Sequence, residues 1–533
     1  MSVKYSQYTN RNAPVPQSMP IPGEEHKMTK NSAGGYVYQL DDWKRLDRFL
    51  VLGTEGGTFY VSERKLTSEN IQNVKSLILN DGIKVVDRVV EISDSGRAPN
   101  NDPALLVLAA CASYGDPKTK QHALSNLSKV ARIGTHLFHF AEYINGMRGW
   151  GRQLRSSVAN WYEQKTADDL VQQVTKYQSR DGWSHRDLLR LSHVGTKDES
   201  KNVIYRWVTS PDKVTEFPVS LRRLEAIVKL LHSTNEKEAI NLIKEYNLPR
   251  EVVPTQMLTS KDVWSVLLET MPIHATLRNL GKMTEVGLLS PLSNSTKSVL
   301  EKFSSEESIA KSRLHPIDVI KAWFTYRSGH GMKGKLTWTP VQSIVGQLEK
   351  LFYSSFKSIR PTGKNFLLGL DISGSMTGGE VAGVTGFSPN IAAAVMAMVT
   401  ARSEKNYHIM GFANTFKDLN INASMDLNDV MRRTRELSFG STDCSLPMQY
   451  ALKEKLDVDS FVVYTDNETW AGLKHPVQAL REYRTKMHKN SKLIVVGMTA
   501  TECSIADPSD PGMLDVVGFD TVVPSMISDF SRE

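Results

Sequence analysis

The rhythm of apolar and polar positions changes near residue 360 of this 533-residue chain. Beyond that point short, wholly apolar runs alternate with stretches of helical period. Strands are predicted at 365–371, Tyr407 to Phe412, Ser460 to Thr465, Lys492 to Met498 and Thr521 to Val523. Helices are predicted at Pro389 to Lys405, Leu427 to Leu437, Leu446 to Leu456 and Pro476 to His488, with one more at the C-terminus. Fully apolar strands separated by helices imply a doubly wound α/β unit, a parallel sheet covered on both faces. Gly378 to Gly386 reads as a loop bordering one strand end.

Before residue 360 the period is close to 3.6 almost throughout. One exception is Phe49-Leu50-Val51-Leu52, which with Gly56-Gly57 and Thr58 to Val61 reads as a hairpin. After it come apolar stripes at Leu124, Leu127, Ala131, Gly134 and Phe138, and at Leu221, Leu224, Val228 and Leu231. Ala239, Ile240, Ile243 and Tyr246 make another, and Trp264, Leu267, Leu268 and Met271 the next. Short connectors such as His232 to Asn235 join these helices into antiparallel pairs that must stack to bury their stripes. The expected architecture is multidomain: a HEAT-like α-solenoid over 33–360 followed by the α/β unit over 361–533. Residues 1–32 are polar, with several Pro and Gly, and read either as a mobile tail or as a strap along a neighbouring domain.

Composition narrows the options. No run approaches the roughly 20 apolar residues that span a bilayer, and the N-terminus has no signal-peptide core, so no membrane association is expected. Three widely spaced cysteines, Cys111, Cys444 and Cys503, exclude a disulfide scaffold and a cysteine-ligated zinc site. They suit a reducing compartment, and a cytoplasmic monomer is expected, with the nucleus as a second location. The net charge of +7 is uneven: residues 361–533 carry 16 Lys and Arg against 21 Asp and Glu, the remainder 49 against 37. A polyanion partner is therefore expected for the first part of the chain and not the second.

Asp371-Ile372-Ser373-Gly374-Ser375 presents one carboxylate and two hydroxyls at a strand's carboxyl end. Phe439-Gly440-Ser441-Thr442-Asp443 opens a helix, and the strand Phe461 to Thr465 runs straight into Asp466. Oxygen donors converging where parallel strands end suit Mg²⁺, with Ca²⁺ or Mn²⁺ as alternatives. These segments closely resemble a von Willebrand factor A domain and its metal-ion-dependent adhesion site. Asp371, Ser373 and Ser375 match that family's first loop, Thr442 its second and Asp466 its third. The resemblance implies a cation with one open position that captures an acidic group from a protein partner. Nothing in the motif supplies a base or a second metal cluster. Gly329 to Lys335 fits GxxxxGK but continues into Leu336, and HExxH and GxSxG are absent. A non-enzyme is expected.

Basic residues suited to a polyanion concentrate between residues 118 and 193, where each stripe reads either as such a contact or as a solvated face. Lys129, Arg132 and His136 are spaced at i, i+3 and i+7, opposite the Leu127/Ala131/Phe138 stripe. Arg152 and Arg155 oppose Leu154, Val158 and Trp161, with Arg148 in the preceding turn. Arg186, Arg190 and His193 form a third stripe on a helix capped by Ser184. Lys118, Lys120, Lys176 and Arg180 extend the basic surface. Such residues neutralise phosphates, and Arg also stacks on bases. His185 lies between Leu188 and Leu189 on the wheel and reads equally as a buried or capping residue and as an anion contact at a helix start.

Gly53 to Tyr60 and Gly182 to His193, with a solenoid leading into an A-type domain, make the whole chain resemble the Ro autoantigen family, the Ro ribonucleoproteins of the TROVE group (telomerase, Ro, vault). That resemblance implies a HEAT-repeat ring completed by the A domain. It implies Y RNA on a basic outer surface and single-stranded ends of misfolded noncoding RNA threading a central hole, and it favours RNA contact for His185. Two other readings stay open: an adaptor that captures an acidic partner group through the metal, and a metal-dependent nuclease or phosphatase.

Overall fold

The computed structural model describes residues 13–53, 63–98, 100–312, 314–331, 335–356, 360–378, 381, 387–435, 440–499, 501–520 and 522–533. Eleven strands lie among them. β1 (Met28–Lys30) and β2 (Tyr36–Gln39) precede the helical region, and β3 (Ser179–Arg180) and β4 (Trp183–Ser184) form a small hairpin within it. The C-terminal sheet uses β5 (Asn365–Asp371), β6 (Asn406–Phe412), β7 (Phe416–Asp418), β8 (Ser460–Thr465) and β9 (Lys492–Gly497). β10 (Cys503–Ser504) pairs with β2, and β11 (Met513–Val517) closes one edge of the large sheet.

The order of that sheet is β11-β9-β8-β5-β6-β7, parallel except for the short edge strand β7. The chain runs from β5 outward through β6 to β7, then returns to lay β8, β9 and β11 on β5's other side. The strand order therefore reverses at β5, and ligands of open α/β sheets bind at such a switch point. Helices Pro389–Ser403 and Pro476–Met487 cover the faces. Pro389–Ser403 is buried almost all round, its alanines allowing close approach to the sheet.

The helical region runs from Asp42–Leu52 to Gln342–Ser354 in closely packed pairs, such as Arg222–His232 with Glu236–Tyr246. Its core is continuous with one face of the sheet. Phe324 and Phe352 of the last two helices meet Phe387 and Phe519 of the sheet unit, at centroid distances of 5.8 Å (Phe324–Phe387) and 6.1 Å (Phe352–Phe519). Residues far apart in the series also meet: the Arg97 carbonyl accepts from His315 Nε2 at 3.1 Å, while Arg97 donates to the Val517 carbonyl and faces buried Asp520.

Several expectations are corrected. Phe49-Leu50-Val51-Leu52 is not a strand but the end of helix Asp42–Leu52, capped by Asp41, whose carboxylate accepts the Lys44 N–H. The helix buries Leu46, Phe49 and Leu50 on one face, and burial on several sides makes its last turn look strand-like. The remainder of the expected hairpin, Thr54 to Val61, lies outside the described residues, as does most of the loop up to Gly386. Of the expected strand Thr521 to Val523, Thr521 lies outside the described residues and the other two are not strand: Asp520 Oδ1 accepts the N–H groups of Val522 and Val523 and starts the last helix, Val523–Arg532.

The stripe from Leu124 to Phe138 is split among Pro117–Ser125, Leu127–Val130 and Gly134–Met147. The chain leaves helical geometry at Ala131, whose carbonyl accepts the Trp161 indole N–H instead. In Arg222–His232 the buried face is Leu224, Ile227 and Leu230, while Leu231 is exposed. The N-terminal segment from residue 13 lies along the sheet unit. Ile21, Met28, Val37 and Tyr38 share a core with Leu367, Phe461 and Leu493.

Candidate metal centre and nucleic-acid surface

β5 and β8 are neighbours, so Asp371 ends one strand as Asp466 leaves the next. Asp371 is fully buried; its Oδ1 accepts the Ser373 N–H at 3.0 Å and its Oδ2 accepts Thr465 Oγ1 at 2.7 Å. Ser373 Oγ and Ser375 Oγ are 3.0 Å apart, and Ser375 hydrogen-bonds to Asp466. The structure thus brings Asp371, Ser373, Ser375 and Asp466 into one buried cluster. Thr442 is buried in the adjoining loop, its carbonyl accepting the Trp470 and Ala471 N–H groups at 3.1 and 3.0 Å and so tying that loop to the one after Asp466.

No side-chain cation pairs with Asp371 or Asp466 among the described residues. Burial and the Asp466 charge push the Asp371 carboxyl up to about 7, and burial raises Asp466. Two carboxylates desolvated together are destabilised as anions, and a bound cation relieves both. Among the described residues no three His, Cys, Asp or Glu side chains cluster as metal ligands, so a cation held here would need the hydroxyls as well. That oxygen-only donor set fits Mg²⁺, Ca²⁺ or Mn²⁺ and not zinc.

Glu468 escaped the sequence reading, and the N-terminal segment, read there as either a tail or a strap, is a strap. Glu468 is buried, accepts the Ala33 N–H at 2.8 Å, and is pushed up to about 7 by burial and by Asp466. From the N-terminal segment, Gln17 bonds Asp443 and Thr469, and Asn31 bonds the Asn467 and Thr469 carbonyls. Gly35 lies so close that a Cβ would stand 1.9 Å from the Thr469 carbonyl oxygen. The local signal was sparse: isolated apolar residues such as Ile21, Met28 and Val37 in a mostly polar segment.

The basic candidates divide. Arg186, Arg190 and His193 are exposed on or just after helix His185–Ser192, which buries Leu188 and Leu189. Ser184 and Asp187 form its capping box. Lys118, Lys129, Arg132, Arg152 and Arg180 are exposed, and Lys120, Arg155 and Lys176 half-buried. Arg148 is half-buried and donates to the Ala112 carbonyl at 2.6 Å. Lys129, Arg132 and His136 do not share a helix face, because the break at Ala131 lies between them. Burial and Arg132 push His136 down to about 4, so at neutral pH it carries no charge for a phosphate. His136 and Arg180 instead line a cavity of about 700 Å³ together with His139, Arg278 and Lys321.

His185 is a core residue. Its Nδ1 accepts the Tyr162 hydroxyl at 2.8 Å and its Nε2 faces the Gln173 carbonyl at 3.2 Å, with the Phe138 ring 4.8 Å away. This placement corrects its expected RNA contact. Burial pushes it down to about 4 from its ordinary 6.5. A histidine depressed in the folded state contributes stability that is complete above 6.5 and lost as pH falls toward 4. Between pH 7 and 5 His185 is expected to remove about 2 kcal/mol of stability. Urea melts of the His185→Gln protein should show that much less pH dependence; an unchanged dependence would mean the imidazole does not stay neutral.

No helix among the described residues is long and apolar enough to cross a membrane. Residues 29–324 match the TROVE domain family and residues 365–531 the Ro60 vWA domain family. The chain is 42% identical to RNA-binding protein RO60 of Deinococcus radiodurans over 95% of its own length and 96% of that protein. It is 33% identical to RNA-binding protein RO60 of Caenorhabditis elegans over 94% of its length and 89% of that protein. The crystal structure of the Deinococcus radiodurans RO (RSR) protein superimposes with a TM-score of 0.71 at 43% identity, covering 92% of this chain and 99% of that one. A helical region joined through a shared core to a switch-point sheet unit, together with these matches, places the chain in the Ro60 family, with a TROVE domain followed by a Ro60 vWA domain.

Proposed function

We propose that this chain is the RNA-binding protein of a small cytoplasmic ribonucleoprotein. It binds Y RNA on an exposed basic surface, receives single-stranded ends of misfolded noncoding RNA in a central hole, and acts in RNA quality control without being an enzyme. The observation that carries this reading is the Arg186/Arg190/His193 stripe, held outward by a capped helix whose other face is buried. The meeting of Arg97 with His315 and Asp520 supports a ring, as does a cavity walled by residues from Phe49 to Lys321. Replacing Arg186 and Arg190 with Ala should weaken RNA binding. For each phosphate left without its arginine, the slope of log affinity against log salt should flatten by roughly 0.7–0.9. Unchanged affinity and slope in a folded variant would make the stripe a solvated face only. Blunt duplex RNA should compete poorly for the interior.

In the same reading Asp371, Ser373, Ser375, Thr442 and Asp466 hold a divalent cation, most readily Mg²⁺, which supplies a site for an anionic group. A second reading, an adaptor that captures an acidic protein group there, is favoured by Trp470 and Leu473. Both lie in the loop after Asp466 and are 43% and 79% exposed, an apolar rim beside the site.

A further inference from the structure

A second cavity, of about 710 Å³, lies between helices Lys261–Thr270, Ile273–Glu285 and Pro316–Ser328 and the segment carrying Trp338. Its floor is aromatic and aliphatic: Trp264, Leu277, Tyr326 and Trp338. The polar atoms of these aromatic rings are already used within the protein. The Trp338 indole N–H donates to the Tyr326 carbonyl at 2.9 Å and the Trp264 indole N–H to the Leu258 carbonyl at 2.9 Å. The Tyr326 hydroxyl accepts the Val341 N–H at 3.2 Å. Trp264 and Tyr326 are buried behind the lining, so the ring surface the floor offers is that of half-buried Trp338, whose ring lies near-parallel to Tyr326 at a centroid distance of 6.1 Å. Trp338 rests on Gly281, where a Cβ would come within 2.6–2.8 Å of three carbons of its six-membered ring. Its backbone N–H donates to the Gly329 carbonyl, and Gly329 has a φ of +73° that suits glycine.

The rim has the opposite chemistry. Arg250, Arg278 and Lys321 line it with no carboxylate in ion-pair contact among the described residues. The single carboxylate on the wall, Asp318, stands 3.8 Å from His274 Nδ1. Arg278, Asp318 and Lys321 also line the first cavity, so the two spaces share a wall with two cations and one carboxylate. The first cavity is polar, with Asn100, Asn101, Thr135 and His139 on its surface. A ligand reaching across that wall meets the Trp338 ring on one side, a net positive charge from Arg278 and Lys321 against Asp318 at the crossing, and hydrogen-bonding groups on the other.

We propose that this second cavity is a nucleoside-phosphate site. The base lies against Trp338 and the aromatic floor, and the phosphate sits at Arg250, Arg278 and Lys321. The volume is that of a small-molecule site, about 300–1,000 Å³. Aromatic stacking plus unpaired cations is how single-stranded nucleic acid is held without reading its sequence. The shared wall lets the phosphate of a strand's end nucleotide continue into the first cavity. The site rests on the RNA-binding reading only where the nucleotide belongs to RNA; a free nucleotide satisfies the same chemistry.

The test uses the full chain with two probes, adenosine 5′-monophosphate by calorimetry and single-stranded pentaadenylate by fluorescence anisotropy. Trp338→Ala removes the stacking surface, and Ala322→Phe fills the cavity from its half-buried wall while leaving Trp338 in place. Both should bind about 5- to 150-fold more weakly than wild type, the range that loss of one stacked base produces. Weakening for both probes supports a site open to free nucleotide, and weakening for pentaadenylate alone supports a strand-end site. Wild-type affinity of both variants for both probes overturns the proposal, as does displacement of pentaadenylate by a long-chain fatty acid but not by the nucleotide. Binding of structured RNA through Arg186 and Arg190, measured on the same proteins, separates failure of this pocket from failure of the RNA-binding reading.

Discussion

Replacing Arg48 with Met is expected to cost about 3–5 kcal/mol of folding stability, as for breaking a buried ion pair from one side. Arg48 is 1% exposed on helix Asp42–Leu52, yet all its partners belong to the sheet unit. Nη2 meets Asp515 Oδ1 at 2.7 Å, and Nη1 donates to Thr501 Oγ1 at 3.1 Å and to the Thr501 and Cys503 carbonyls at 3.2 Å. Methionine fills much of the volume but leaves the Asp515 carboxyl group buried with, among the described residues, only the Ser504 hydroxyl to bond it. Changing Asp515 to Leu as well should recover most of the loss, because desolvation of the unpaired carboxylate, more than the missing attraction, drives the cost. Urea unfolding of the single and double variants measures this; a loss under about 1 kcal/mol for Arg48→Met would contradict it. Thr501 Oγ1 also lies 3.4 Å from the Asp466 carbonyl, so the single variant should weaken metal binding too.

The second large effect is at the switch point. Asp371→Ala should abolish saturable Mg²⁺ or Mn²⁺ binding in calorimetry of the full chain while RNA affinity stays within about twofold, since such a change is local. A normal metal titration in that variant would reduce the triplet to a strand-end turn. The sign of the pH dependence follows from the carboxyl's position. Asp371 binds its proton more tightly when folded than its ordinary 3.8 implies, so the metal-free protein loses stability as pH rises from 3.8 toward 7. Protons and metal compete for the same oxygens. Added Mg²⁺ should therefore raise the melting temperature more at pH 8 than at pH 6.

The buried cluster of Asp371, Ser373, Ser375 and Asp466 was legible because each of these residues is local to a strand end. Phe366 to Leu370 and Phe461 to Thr465 are apolar on both faces, as parallel strands between helices must be, and a polar residue at once after such a run marks its carboxyl end. The Arg186/Arg190 stripe was legible for a similar reason: Ser184 and Asp187 cap the helix within four residues, fixing which positions face outward. The role of His185 was misread because its burial depends on Tyr162, Gln173 and Phe138, none of them neighbours in sequence. The break at Ala131 was hidden likewise, since Leu127, Ala131 and Phe138 are all buried whether or not one helix joins them.

Local patterning by itself determined the two halves of the chain, the parallel strands of the sheet, the Asp371 and Asp466 carboxylates at their ends, and the uneven charge. Each follows from periodicity or from residues adjacent along the chain, and short-range sterics and solvation are enough to set them. Only the tertiary structure decided that residues 13–40 strap the loops around Thr442 and Asp466 and that Arg48 locks the first helix to β11's Asp515. It alone decided that His136 faces a cavity and that Trp338, Arg250, Arg278 and Lys321 surround another. Those arrangements join groups tens to hundreds of residues apart. No local preference favours such pairings, because they gain free energy only when distant surfaces exclude water together and bring buried polar groups to their partners.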